Sequence, residues 1–210
     1  MGVAHTRVSS LVLGQLHSFE NFPYQASVTT YSANSAITDS AAAATAIASG
    51  RKVNNGVVAM AIPGDGADLE SLQEYFQLRG KSVGIVTSTD ISDATPAAFA
   101  AHETSRNNYA QIVTDYLDQT RPDIIFGGAG NGMTTLAAQA AGYTVVTDRM
   151  ELQALNTETA ASISGQFGIG NLPYEYDGLG TLPHLQEMVY SALRILDNNP
   201  NGFFLLRGSN

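Results

Sequence analysis

Ser82-Val83-Gly84-Ile85-Val86-Thr87 is an uninterrupted, largely β-branched run, the composition of a strand buried on both faces of a parallel sheet. Outward from it the same grammar repeats. Asp123-Ile124-Ile125-Phe126-Gly127-Gly128, Tyr143-Thr144-Val145-Val146-Thr147 and Gly202-Phe203-Phe204-Leu205-Leu206 read as further strands. Helical patterns lie between them. Asp68 precedes Leu69, Leu72 and Phe76 on one face, and Gly80 follows the last turn. Thr181 and Pro183 open a helix carrying Leu185, Met188, Val189, Ala192, Ile195 and Leu196, and Asn199-Pro200-Asn201-Gly202 ends it. This alternation predicts an α/β fold, a mostly parallel sheet with helices on both faces. Functional groups in such folds gather at the carboxyl ends of the strands.

Composition narrows the function. Ten Lys and Arg against 19 Asp and Glu give a formal charge of −9, and the only lysines are Lys52 and Lys81. A nucleic-acid partner is not expected, because phosphate backbones need clustered basic side chains. With 44% hydrophobic and 14% charged residues the chain is globular, and no apolar run approaches the roughly 18–20 residues of a membrane span. The absence of cysteine removes disulfides, thiolate metal sites and cysteine nucleophiles while leaving the compartment open. No basic start followed by an apolar stretch marks a secretion signal. Met1-Gly2 with Thr6 fits the loose myristoylation pattern but has no polybasic second signal beside it. No linker or repeat divides residues 1–210, which read as one domain.

Two segments carry chemistry. Ile37-Thr38-Asp39-Ser40 leads into Ala41-Ala42-Ala43-Ala44-Thr45-Ala46, an alanine-rich helix with Ser40 in its first turn. Backbone N–H groups and the positive end of the helix dipole suit a phosphate there, although an Asp or Ser in this place is also an ordinary N-cap. Asp93-Ala94-Thr95-Pro96-Ala97-Ala98 precedes His102-Glu103-Thr104-Ser105-Arg106. Asp93 or Thr95 caps a helix with Pro96 at its first position, and Arg106 is either a phosphate clamp or a surface arginine.

Together, Thr38 to Ala46, Gly50, Asn55-Gly56, and Asp93-Ala94-Thr95-Pro96-Ala97 through Ser105-Arg106 closely resemble the alkaline phosphatase family, in the family's order over nearly the whole chain. The resemblance implies phosphomonoester hydrolysis with Ser40 as a nucleophile that forms a phosphoserine. It implies Arg106 as the clamp on two phosphate oxygens and Asp39 as the carboxylate orienting that arginine. Thr95 matches a magnesium ligand and Asp93 a group reaching magnesium through water. Zn2+ and Mg2+ are the implied cofactors, and small phosphomonoesters and inorganic phosphate the implied ligands. A periplasmic or extracellular location and a homodimer follow from the same likeness. A hydroxyl nucleophile needs a metal or base, and the phosphoryl transition state needs positive charge on its oxygens.

The sequence also departs from the family. Its bridging Asp precedes a Met-Gly pair at the end of a first strand, and this chain begins at Met1-Gly2. After Phe203-Phe204-Leu205, Arg207 stands near the place of a Glu ligand, and the later Asp and His ligands have no counterpart. His5, His17, His102 and His184 match none of the zinc ligands; His102 and His184 fall in helical stretches, with a packing or surface role. The chain therefore reads as a truncated, central portion of such a phosphatase. The alternative is a phosphate-binding relic without turnover. A metal-free serine hydrolase is disfavoured, since no G-x-S-x-G elbow is present.

Overall fold

The computed structural model describes residues 3–26 and 28–209; Met1-Gly2 of the myristoylation pattern lies outside them. The chain runs α1 (Val3–Leu13), a short 3-10 turn, α2 (Ser40–Ser49), α3 (Leu72–Gln77), β1 (Ser82–Asp90) and α4 (Ala94–Ala100). It continues through α5 (Tyr109–Thr114) with a π-helical extension (Asp115–Thr120), β2 (Ile124–Ala129), α6 (Thr135–Ala140), β3 (Thr144–Val146) and α7 (Arg149–Ala154). Last come β4 (Ile163–Ile169), α8 (Leu185–Leu196) and β5 (Phe203–Arg207). The five strands pair in the order β3-β4-β2-β1-β5, every neighbouring pair parallel. The fold is the mostly parallel α/β sheet that the strand runs predict.

Alternation along β1 and β2 divides the core in two, because successive strand residues point to opposite faces. Ile85 and Ile125 face Ala41 and Ala44 of α2, Ala97 and Ala98 of α4, and Ile112 of α5. Val86, Ile124 and Phe126 face Met188, Ala192, Ile195 and Leu196 of α8. Gly84 lets α8 approach closely, since a Cβ there would lie 2.9 Å from Leu196 Cδ1. Alanine does the corresponding work on the other face, where small side chains let α2 and α4 pack tightly.

Several boundaries differ from the sequence reading, each for a local reason. Asp68 does not start α3. A capping box does, Ser71 Oγ accepting the Glu74 N–H at 3.2 Å and Glu74 Oε2 accepting the Ser71 N–H at 2.8 Å. Asp68 instead forms an antiparallel bridge with Met60. Asp93 caps α4, which puts Pro96 at its third position rather than its first. α8 begins after His184, whose N–H is taken by Glu187 at 2.8 Å, and not at Thr181 or Pro183. β4 lacks an apolar run because glycine and polar residues occupy it, yet Ser164 is fully buried and Gln166 nearly so against β2.

Candidate active site

β1 ends at Asp90, and the turn that follows leads into α4 with Asp93 as its cap. The site thus lies at the carboxyl end of a central strand. α2 brings the second element, its first residue Ser40 exposed and its cap Asp39 half-buried. The Asp39 carboxylate has two backbone duties. Oδ1 accepts the Ala42 N–H at 2.9 Å, capping α2, and Oδ2 accepts the Gly56 N–H at 3.0 Å. Asn55 Oδ1 accepts the Asp39 N–H at 3.1 Å, fixing the cap from outside the helix.

Arg106 joins these pieces. Nη1 donates to Ser40 Oγ at 2.5 Å and lies 3.5 Å from Asp39 Oδ2, while Nη2 donates to Asp93 Oδ1 at 2.8 Å. The backbone N–H of Arg106 donates to the Gly56 carbonyl at 2.7 Å. The planar fork therefore spans the first turn of α2 and the cap of α4, a geometry that lysine does not reproduce. The guanidinium stands between the Asp39 and Asp93 carboxylates, with Nη1 turned to the first turn of α2, where Asp39 already takes the Ala42 and Ala43 N–H groups.

The structure brings Ser40, Asp39, Asp93 and Arg106 into one cluster. Thr95 sits half-buried in the first turn of α4, two residues beyond Asp93. Asp93 is a closer partner of the guanidinium than Asp39, and Asp39 spends its oxygens mainly on backbone. Among the described residues no group of three or more His, Asp or Glu is arranged to hold a metal ion. Of Asp93, Thr95 and Ser40 only Asp93 is a carboxylate, and hydroxyls are not among the usual zinc ligands. His102 departs from its expected helical placement. It lies just past α4, outside any helix, with Nε2 3.0 Å from Glu74 Oε1 and only 9% of its side chain exposed.

The parallel α/β sheet thus carries a serine at a helix start, with an arginine held against it beside the strand ends. The alkaline phosphatase family model matches residues 5–209, and the chain belongs to the alkaline phosphatase family. It is 36% identical over 181 residues to alkaline phosphatase 4 of Bacillus subtilis, covering 81% of this chain and 38% of that protein. The cold-active alkaline phosphatase of a psychrophilic Shewanella superposes with a TM-score of 0.83 at 30% identity, covering 99% of this chain and 53% of that one. A TAB5 alkaline phosphatase mutant, described with Mg bound, shares the fold at 22% identity and a TM-score of 0.79, over 98% of this chain and 60% of that one. The chain spans about half the length, or less, of the first curated relatives it matches.

Proposed function

We propose that the chain carries the nucleophile and phosphate clamp of a phosphomonoester hydrolase. The observation that carries this reading is the guanidinium of Arg106 bridging Ser40 Oγ and Asp93 Oδ1 at the carboxyl end of β1. In the proposed reaction Ser40 Oγ attacks phosphorus and gives up its proton, and the bond from phosphorus to the substrate's alcohol oxygen breaks. The alcohol leaves with a proton. Water then cleaves the phosphoserine, returning the hydroxyl and releasing inorganic phosphate. Arg106 binds two nonbridging oxygens and offsets their charge through both steps, each charge-assisted hydrogen bond contributing about 1.5–3 kcal/mol. Asp39 and Asp93 hold the guanidinium in plane.

Zn2+ and Mg2+ belong to this reading by family likeness. They would supply the charge that activates the hydroxyl, and the described residues do not by themselves make their sites. A periplasmic or extracellular setting and a homodimer are part of the same reading. Among the described residues no helix is long and apolar enough to cross a membrane.

Acid-quenched labelling with a radioactive phosphomonoester, followed by peptide mapping, tests the proposal. Label on the peptide containing Ser40 supports it. A chain that binds phosphate through Arg106 but takes no label is a phosphate binder, and the hydrolase reading fails for it.

A further inference from the structure

His102 faces acceptors with both ring nitrogens. Nδ1 lies 2.9 Å from the Ala59 carbonyl oxygen and Nε2 lies 3.0 Å from Glu74 Oε1. A carbonyl oxygen only accepts, and so does the Glu74 carboxylate, whose other oxygen already takes the Ser71 N–H. Neutral imidazole has a single N–H, so satisfying both contacts requires the imidazolium. The acidic groups around it come from every neighbouring element. Glu74 lies on α3, Asp68 and Glu70 on the segment before it, and Asp115 at the start of the π-helical stretch accepts the His102 backbone N–H at 2.9 Å. Glu103, next in the chain, is turned toward Asn108. A cavity of about 530 Å³ beside the ring is lined by Asp68, Glu70, Glu74, Gln77 and Thr120 among others, with no lysine or arginine.

What the ring holds leads to Arg106. Ala59 sits at φ +44°, a left-handed conformation that costs a non-glycine residue about 1–3 kcal/mol and persists only where its surroundings enforce it. Its N–H donates to Thr45 Oγ1 of α2 at 2.9 Å, and its carbonyl takes the Leu69 N–H at 2.8 Å as well as His102. One residue back, Val58 exchanges hydrogen bonds of 3.0 and 2.9 Å with Glu103. Two further back, Gly56 accepts the Arg106 N–H and donates to Asp39. Residues 56–59 and 102–106 form one antiparallel ribbon, pinned at one end by His102 and ending at the other beside Ser40.

We infer that His102 is a positioning residue for the phosphate site, its imidazolium locking this ribbon so that Arg106 is presented to Ser40. The inference rests on the phosphate reading of Ser40 and Arg106. Burial works against the ring's charge. The hydrogen bonds to Glu74 and the Ala59 carbonyl, with the charges of Glu74 and Asp68, nevertheless hold its pKa up at about 9. Deprotonation leaves a lone pair facing an acceptor, which releases one end of the ribbon.

The test is calorimetric titration of inorganic phosphate into the 210-residue chain on both sides of that pH, where the ligand is already dianionic. Wild type is compared with His102→Gln, Glu74→Gln and Arg106→Ala. Wild-type affinity should fall about 5–10-fold as pH rises through the His102 value, less than the loss of one direct charged hydrogen bond because the ring acts on Arg106 through the ribbon. His102→Gln should show the weaker affinity throughout, with the pH step gone. Glu74→Gln keeps an acceptor but removes the charge, so the step should move to lower pH. If His102→Gln fails to melt cooperatively, the Glu74→Gln shift and the ring's 15N signals still decide. Both nitrogens should be protonated at neutral pH. A flat wild-type profile or a neutral ring at neutral pH overturns the inference while Arg106→Ala still weakens binding. Phosphate affinity unchanged in Arg106→Ala overturns the phosphate reading itself, and the inference with it.

Discussion

Arg106 Nη1 and Ser40 Oγ meet at 2.5 Å across 66 residues of chain. The contact depends on two separate structures, the capped start of α2 and the ribbon that carries Arg106 past Gly56. Neither depends on a strand side chain. The sheet is the platform, and the starts of α2 and α4 with the ribbon through Arg106 bring these side chains together upon it.

Arg106→Ala should weaken inorganic phosphate binding by at least about tenfold, the loss of one or two charge-assisted hydrogen bonds. Arg106→Lys should recover only a small part of it, since a single ammonium cannot reach Ser40 and Asp93 together. Calorimetry on the two variants measures the gap. Equal affinities for the Arg106→Lys variant and the wild type would show that the fork geometry is unimportant.

Ser40→Ala separates chemistry from binding. Phosphate affinity should stay within about threefold of wild type, because the hydroxyl accepts from Arg106 rather than carrying the charge. Covalent labelling should vanish. Label persisting on this variant would place the nucleophile elsewhere.

Asp39 is a structural residue as much as an orienting one. Asp39→Ala removes the cap on Ala42 and the acceptor for Gly56, and should cost about 1–2 kcal/mol in urea unfolding. Asp39→Asn keeps an oxygen for the cap and should cost less than half as much. Equal losses would mean that charge rather than capping is what α2 needs.

The strands with continuous apolar runs were legible because burial on both faces leaves no alternation to misread. β4 was not, because Gly165, Gly168, Ser164 and Gln166 break the run, and only its neighbours make it a buried strand. Asp39, Ser40, Asp93, Thr95 and Arg106 stood out through a long, specific motif. Their grouping did not follow from spacing, since the ribbon through Gly56 that joins them pairs residues about fifty positions apart. The role of His102 was invisible for a related reason. Its partners Ala59 and Glu74 lie 43 and 28 positions away, and a backbone carbonyl leaves no trace in sequence.

Two glycines should respond to alanine very differently. At Gly128 on β2 a Cβ would fall 1.5 Å from the Gly170 carbonyl oxygen, backbone against backbone. Gly128→Ala should cost more than about 3 kcal/mol or abolish the cooperative transition, since the chain after β4 must move away. At Gly50, which ends α2 at φ +72°, nothing lies within 4 Å of an added Cβ. Gly50→Ala meets only the left-handed penalty of about 1–2 kcal/mol. Paired urea melts measure both, and similar costs would contradict the close approach of β2 to Gly170.

Stability should fall with pH on the alkaline side, and His102 sets the window. Burial opposes the charge on its ring, but the hydrogen bonds and charges of Glu74, Asp68 and the Ala59 carbonyl outweigh it and raise the pKa from the usual 6.5 to about 9. Between those values the folded state holds a proton that the unfolded chain has released. The stabilisation is therefore complete below about pH 6.5 and is lost as pH rises through about 9. Its size is on the order of 3 kcal/mol, from about 1.4 kcal/mol per unit for a side chain with little exposure. Glu74 acts at the other end. Burial raises its pKa, but the His102 and Ser71 hydrogen bonds lower it further, so its contribution is lost only in acid. Calorimetric melts of wild type should show Tm declining steadily across the alkaline window. His102→Gln should start lower and stay nearly flat there. A wild-type Tm that holds constant to pH 9 and beyond would mean that the ring carries no extra proton in the folded state.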